Sequence, residues 1–230
     1  MRTLSQFIDS RVNSGLWALV VIVVVILLNS FLSMDLTVGR LSPETHLFPS
    51  ETVNTGLRVV YLSLLILAVL FWLLDIRRRL YRVIFWLSLL CTLNLFGATV
   101  LLVTRLVQTV PVTVPILIRD GVFIFSTNIL IFALWYWIID SNNVRFFQGV
   151  MNPAWDFLFP QRLEPLPGYE DWTPRFTDYL FLAFTTSVAF SPTDTAPLSR
   201  TAKLLMIIQS SISLIVLSVI AGTAINMLSG

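Results

Sequence analysis

Apolar residues along this chain come in long, nearly uninterrupted runs. Residues 16–34 read LWALVVIVVVILLNSFLSM, and further runs occupy 59–74, 80–104, 121–139 and 204–228. About 20 predominantly apolar residues in a helix cross the hydrocarbon core of a bilayer. The pattern therefore predicts an all-α integral membrane protein with five transmembrane helices. Trp72 and Asp75 close the second run at the interface, and the fourth ends in the aromatic cluster Trp135, Tyr136 and Trp137. The polar opening MRTLSQFIDSRVNSG, followed by a run long enough to span, reads as a signal-anchor.

Three stretches depart from this pattern. VQTVPVTVPILI at 107–118 is apolar but short and carries two prolines, so an interfacial connector is expected. Residues 140–172 are polar, proline-rich and aromatic (NPAWDFLFPQRLEPLPGYEDW), a mixture suited to the headgroup region. Then TPRFTDYLFLAFTTSVAF at 173–190 begins with Thr173 and Pro174, an N-cap followed by proline at the first helical position. A helix from Pro174 to about Thr186 measures roughly 20 Å. That is short for a span and suits a re-entrant helix that enters and turns back. The expected organisation is a four-helix membrane region at 1–140, an interfacial loop at 141–172, and a re-entrant helix with a final span at 173–230.

Composition sharpens the class. The chain is 56% hydrophobic and 12% charged, with mean hydropathy +0.83, where a soluble domain carries about 25% charged residues. The net charge of +2 gives no reason to expect nucleic acid. Basic residues are informative for topology instead, because they favour the cytoplasmic side. With the N-terminus inside, Arg2, Arg11, Arg77, Arg78, Arg79, Arg82, Arg145, Arg162, Arg175, Arg200 and Lys203 fall inside, against Arg40, Arg58, Arg105 and Arg119 outside. The expected location is a plasma (inner) membrane, multi-pass, with a cytoplasmic N-terminus. This topology puts the re-entrant segment on the cytoplasmic side.

Chemistry-bearing patterns are sparse. Cys91 is the single cysteine and His46 the single histidine, which leaves no disulfide, thiolate or histidine metal set to expect. No nucleophile elbow or phosphate-cradling loop occurs, and Glu170–Asp171 beside Trp172 reads as a solvated rim. No enzymatic activity and no cofactor is expected. No internal repeat of the transporter kind is present, and the five runs hold no mid-span charge, which argues against a proton-coupled carrier.

One segment does carry a motif. DYLFLAFTTSVAFSPTDTAPLSR, running into the last apolar helix over 178–226, resembles the pore helix, filter and inner helix of the two-transmembrane pore-loop (potassium-channel-like) cation channels. In that family an aromatic-rich short helix ends in T-T-x-T-x-V-G-Y-G-D, followed by a P-L-G-R-like step. Val188, Ala189, Phe190 and Ser191 stand where V-G-Y-G stands, and Pro197, Leu198, Ser199 and Arg200 where P-L-G-R stands. The segment is also similar to an uncharacterised family of bacterial integral membrane proteins ending in D-[FY]-L-x-F-x-F … S-D-T. The resemblance implies a pore loop, monovalent cations as permeant ions and a homo-oligomer that brings several loops to one axis.

The departures from the family pattern have physical content. A potassium filter presents rings of backbone carbonyls, and its glycines permit backbone angles that a Cβ resists. Ala189 and Ser191 fill both glycine positions, at roughly 1–2 kcal/mol each for left-handed backbone. Pro192 fixes its own φ and pushes Ser191 toward extended geometry. The expectation is thus a poorly selective cation pore. The hydroxyls of Thr185, Thr186 and Ser187 are candidate oxygen ligands at the negative end of the short helix, and Asp194 is a candidate carboxylate ring. Against this, Thr185 and Thr186 suit hydroxyl back-bonding near a helix end, and Asp194 suits a turn.

The same two-sided reading holds for polar residues within the runs. Gln209 and Ser213 share a helical face, as do Gly222 and Asn226. They line either a wet cavity or, as small and hydroxyl residues usually do in membranes, a helix–helix contact. Asn94, Gly97, Ser126, Thr127 and Asn128 read most simply as interhelical glue. Two functions remain: an oligomeric cation pore, or a non-conducting membrane scaffold or interaction subunit that keeps the pore-loop fold.

Overall fold

The computed structural model of the chain describes residues 16–31, 50–74, 76–107, 114–140, 155–162, 172–189 and 194–229. Each apolar run forms a helix: α1 (Trp17–Phe31), α2 (Ser50–Leu73), α3 (Arg77–Val107), α4 (Val114–Asp140) and α6 (Arg200–Ser229). A shorter α5 (Phe176–Ala189) precedes the last one. Among the described residues three stretches, Arg78–Leu106, Pro115–Asp140 and Arg200–Ile225, are long and apolar enough to cross a membrane. The apolar parts of α1 and α2, Trp17–Asn29 and Val59–Leu73, are shorter. The chain packs as two units, 1–127 with 216–230 and 128–215, so α4 and α6 each contribute to both.

In the first unit α1, α2 and α3 pack on one another. A tight turn joins α2 to α3: Ile76 N–H donates to Phe71 O at 2.9 Å, and Leu80 N–H to Ile76 O at 3.0 Å. Ser88 and Thr99 return their hydroxyls to Ile84 O (2.7 Å) and Leu95 O (2.8 Å), which hides polar atoms that lipid cannot solvate. Gly121 supplies the closest approach, since a Cβ there would lie 2.7 Å from Ile220 Cγ1 on α6. Gly222, read from sequence as a helix contact or a cavity-lining position, is exposed with nothing within 4 Å of its would-be Cβ.

The expected connector is partly helical. Residues 108–113 lie outside the described residues, but α4 already runs from Val114. Pro115 is tolerated because first-turn N–H groups lack intrahelical partners anyway. This extension carries Arg119 and Asp120 into the helix. Asp120 is 1% exposed and accepts from Arg119 Nε and Nη2 at 3.2 and 3.0 Å. Lengthening the fourth helix therefore replaces the charge-free span expected from sequence with one holding a paired, buried carboxylate.

The second unit contains the C-terminal half of α4, a short ladder, α5 and the N-terminal half of α6. β1 (Phe157–Leu158) pairs antiparallel with β2 (Ala196–Pro197), Phe157 opposite Pro197 and Leu158 opposite Ala196. A turn of 3₁₀-helix follows β1 at Pro160–Arg162. Part of the stretch expected at the headgroups is therefore core. Phe157 packs edge-on against Tyr136 at 5.0 Å between ring centroids, and Phe159 against Tyr179 at 5.5 Å. Trp135, Tyr136 and Trp137, the aromatic cluster that ends the fourth run, are buried as well.

Candidate functional site

The short helix α5 starts two residues later than the Thr173–Pro174 pair suggests. Asp178 sets the boundary: its Oδ2 accepts from Arg175 N–H at 2.6 Å, while its own N–H donates to Arg175 O at 3.0 Å. The carboxylate thereby satisfies a first-turn donor and sits at the positive end of the helix dipole. Thr173 is exposed. At the other end α5 continues past Thr186 to Ala189. Val188 and Ala189 are consequently helical and exposed, with carbonyls directed along the helix axis. Phe190 and Ser191 lie outside the described residues, and Asp194 is exposed in a bend just before β2.

The hydroxyls of the TTS sequence turn inward or back. Thr185 shares its donor between Phe181 O and Leu182 O, both at 3.0 Å. Thr186 donates to Leu182 O at 2.8 Å. Ser187 is fully buried and accepts from Gln209 Nε2 at 2.7 Å.

Gln209 is the centre of this arrangement. Its Nε2 also donates to Ala183 O at 2.8 Å, and its Oε1 accepts from the Tyr136 hydroxyl. A backbone carbonyl only accepts, so the bond to Ala183 O fixes which way the amide points. One turn further along α6, Ser213 Oγ accepts from Asn128 Nδ2 at 2.8 Å, and Asn128 Nδ2 reaches Gln209 O at 3.3 Å. Asn128, Gln209 and Ser213 are each 0% exposed. Asn128 Oδ1 is buried without a hydrogen-bond partner. The cluster thus joins α4, α5 and α6 through uncharged groups, and it contains Asn128, Ser187, Gln209 and Ser213 of the residues singled out by sequence.

A second node lies at the end of α4. Asp140, 4% exposed, accepts from Asp156 N–H at 2.9 Å, Phe157 N–H at 3.1 Å and the Tyr179 hydroxyl at 2.7 Å. A carboxylate at a helix C-terminus opposes the helix dipole, and these donors offset that cost. Asp140 thereby ties the end of α4 to the entry of β1 and to α5. The sequence pattern placed Asp140 at the start of a headgroup-level segment and Tyr136 in the aromatic cluster that ends the fourth run. A signal was present nonetheless: Asn128, Phe132, Tyr136 and Asp140 recur every four residues, the spacing of one helical face.

Among the described residues no group of three metal-ligating side chains comes together. No family model, curated protein or solved structure matches the chain. The arrangement fixes helices; it presents no activated nucleophile and no paired acid and base.

Proposed function

We propose that this chain is a multi-pass membrane protein whose pore-loop-like segment serves as a packed structural helix, making the molecule a non-conducting scaffold or interaction subunit. The observation carrying this reading is the Gln209 side-chain amide, which engages Ser187 Oγ and Ala183 O within one chain. A filter needs oxygen atoms offered to an ion along an axis. Here Ser187 is engaged by Gln209, Thr185 and Thr186 bond to their own helix, and Val188 and Ala189 are helical.

In this reading the plasma (inner) membrane is crossed by all five apolar helices. The N-terminus is cytoplasmic, and α5 enters without crossing, since 14 residues reach only about 21 Å. The row Phe181, Phe184 and Val188, all exposed on α5, faces lipid or a partner helix. The alternative, an oligomeric pore for monovalent cations, draws support from the exposed C-terminal end of α5 and from exposed Asp194. Last-turn carbonyls carry partial negative charge that attracts cations.

Ion flux separates the two. Purified chain in liposomes is expected to pass potassium and sodium no faster than protein-free vesicles across imposed voltages. Cation flux from an oligomer, altered by Asp194→Ala, would overturn the scaffold reading in favour of the pore.

A further inference from the structure

α3 opens on RRRLYR, with four arginines in six residues and no acid in its first turn. Arg78, Arg79 and Arg82 are exposed, and among the described residues no carboxylate pairs with them. Arg79 lies over the Phe71 ring at 5.9 Å. This charge sits where it is least stable by itself, because the first turn of a helix is already the positive end of its dipole. An anion there would relieve both the mutual repulsion and the opposition to the dipole.

The helix face below the arginines states which kind of anion fits. Arg78, Arg82, Trp86, Leu93 and Phe96 fall on one side of α3 at helical spacing, and all are exposed. The stripe is basic at its head, aromatic one turn down and apolar beyond. The stretch from Trp86 to Phe96 rises about 15 Å, close to the depth of one leaflet. Trp at headgroup level and arginines above it match the layering of a single phospholipid.

We propose that this stripe binds an anionic phospholipid, with the headgroup phosphate held by Arg78 and Arg82 and an acyl chain laid along Leu93 and Phe96. Each basic residue near an anionic leaflet strengthens attraction severalfold, and the arginine fork suits a phosphate oxygen pair. The site rests on α3 spanning the bilayer and is independent of whether the chain conducts.

Native mass spectrometry of the full chain from mild detergent tests it, with phosphatidylglycerol and phosphatidylcholine offered at equal concentration. Wild type is expected to retain phosphatidylglycerol preferentially, and Arg78→Gln/Arg82→Gln to lose that preference by about tenfold or more. Arg200→Gln/Lys203→Gln removes the same charge from exposed positions on α6 and is expected to leave it unchanged. Equal retention in the Arg78/Arg82 variant, or equal loss in the α6 variant, would overturn the site. Inorganic phosphate displacing the lipid at comparable concentration would overturn the lipid assignment, because the stripe would then be a simple anion site.

Discussion

A single glutamine decides how the short helix is used. Gln209 satisfies the Tyr136 hydroxyl, Ser187 Oγ and Ala183 O together. A lost partner leaves buried polar atoms unpaired, at about 1–3 kcal/mol each, moderated in membrane proteins by partners found in the unfolded state. Gln209→Leu is therefore expected to destabilise the protein by about 2–3 kcal/mol, and Tyr136→Phe by about 1 kcal/mol. Because the two side chains share one bond, the double variant should cost less than the sum. Denaturation in mixed detergent micelles measures all three, and strict additivity would show that the Tyr136–Gln209 bond contributes nothing. The pairing of Gln209 with Ser213 was legible from their four-residue spacing. Their partners were not, because a sequence shows which residues share a face but not which helix meets it.

At the scale of elements, the apolar runs and their order were legible, since bilayer thickness leaves few alternatives to helices of that length. Boundaries were less so. The Thr173–Pro174 pair has the chemistry of a helix start, yet Asp178 reaches back to Arg175 N–H and sets the start of α5 two residues later. Valine and alanine at the expected filter stay helical, as residues with ordinary helix-compatible backbone do. Gly222 is open, while Gly121 lets α4 approach α6 within reach of Ile220. A methyl group at Gly121 would meet Ile220 Cγ1 at 2.7 Å, so Gly121→Ala is expected to lower stability by about 1–3 kcal/mol through overpacking. Adding Ile220→Ala should recover part of that loss. Thermal unfolding in detergent reads both, and an unchanged midpoint for Gly121→Ala would contradict the close approach.

At the scale of the molecule, the membrane class follows from composition and from three helices that, among the described residues, are long and apolar enough to cross a bilayer. The functional distinction follows from where polar groups end. In a pore they face water and ions; in this chain Ser187, Gln209 and Ser213 are fully buried within one unit of a single copy. Sequence resemblance to a pore loop could not settle that, because a filter-like string of hydroxyls has the same text whether it faces an axis or a neighbouring helix. The most direct measurement is thiol accessibility in native membranes, and a single buried cysteine, Cys91, makes a Cys91→Ser background simple. On it, Asp194→Cys and Ser187→Cys are exposed in turn to a charged, membrane-impermeant methanethiosulfonate, applied from each side. The packed helix predicts rapid modification at 194 and none at 187. Equally rapid modification at 187, slowed by added monovalent cations, would place that hydroxyl on an ion pathway and contradict the account.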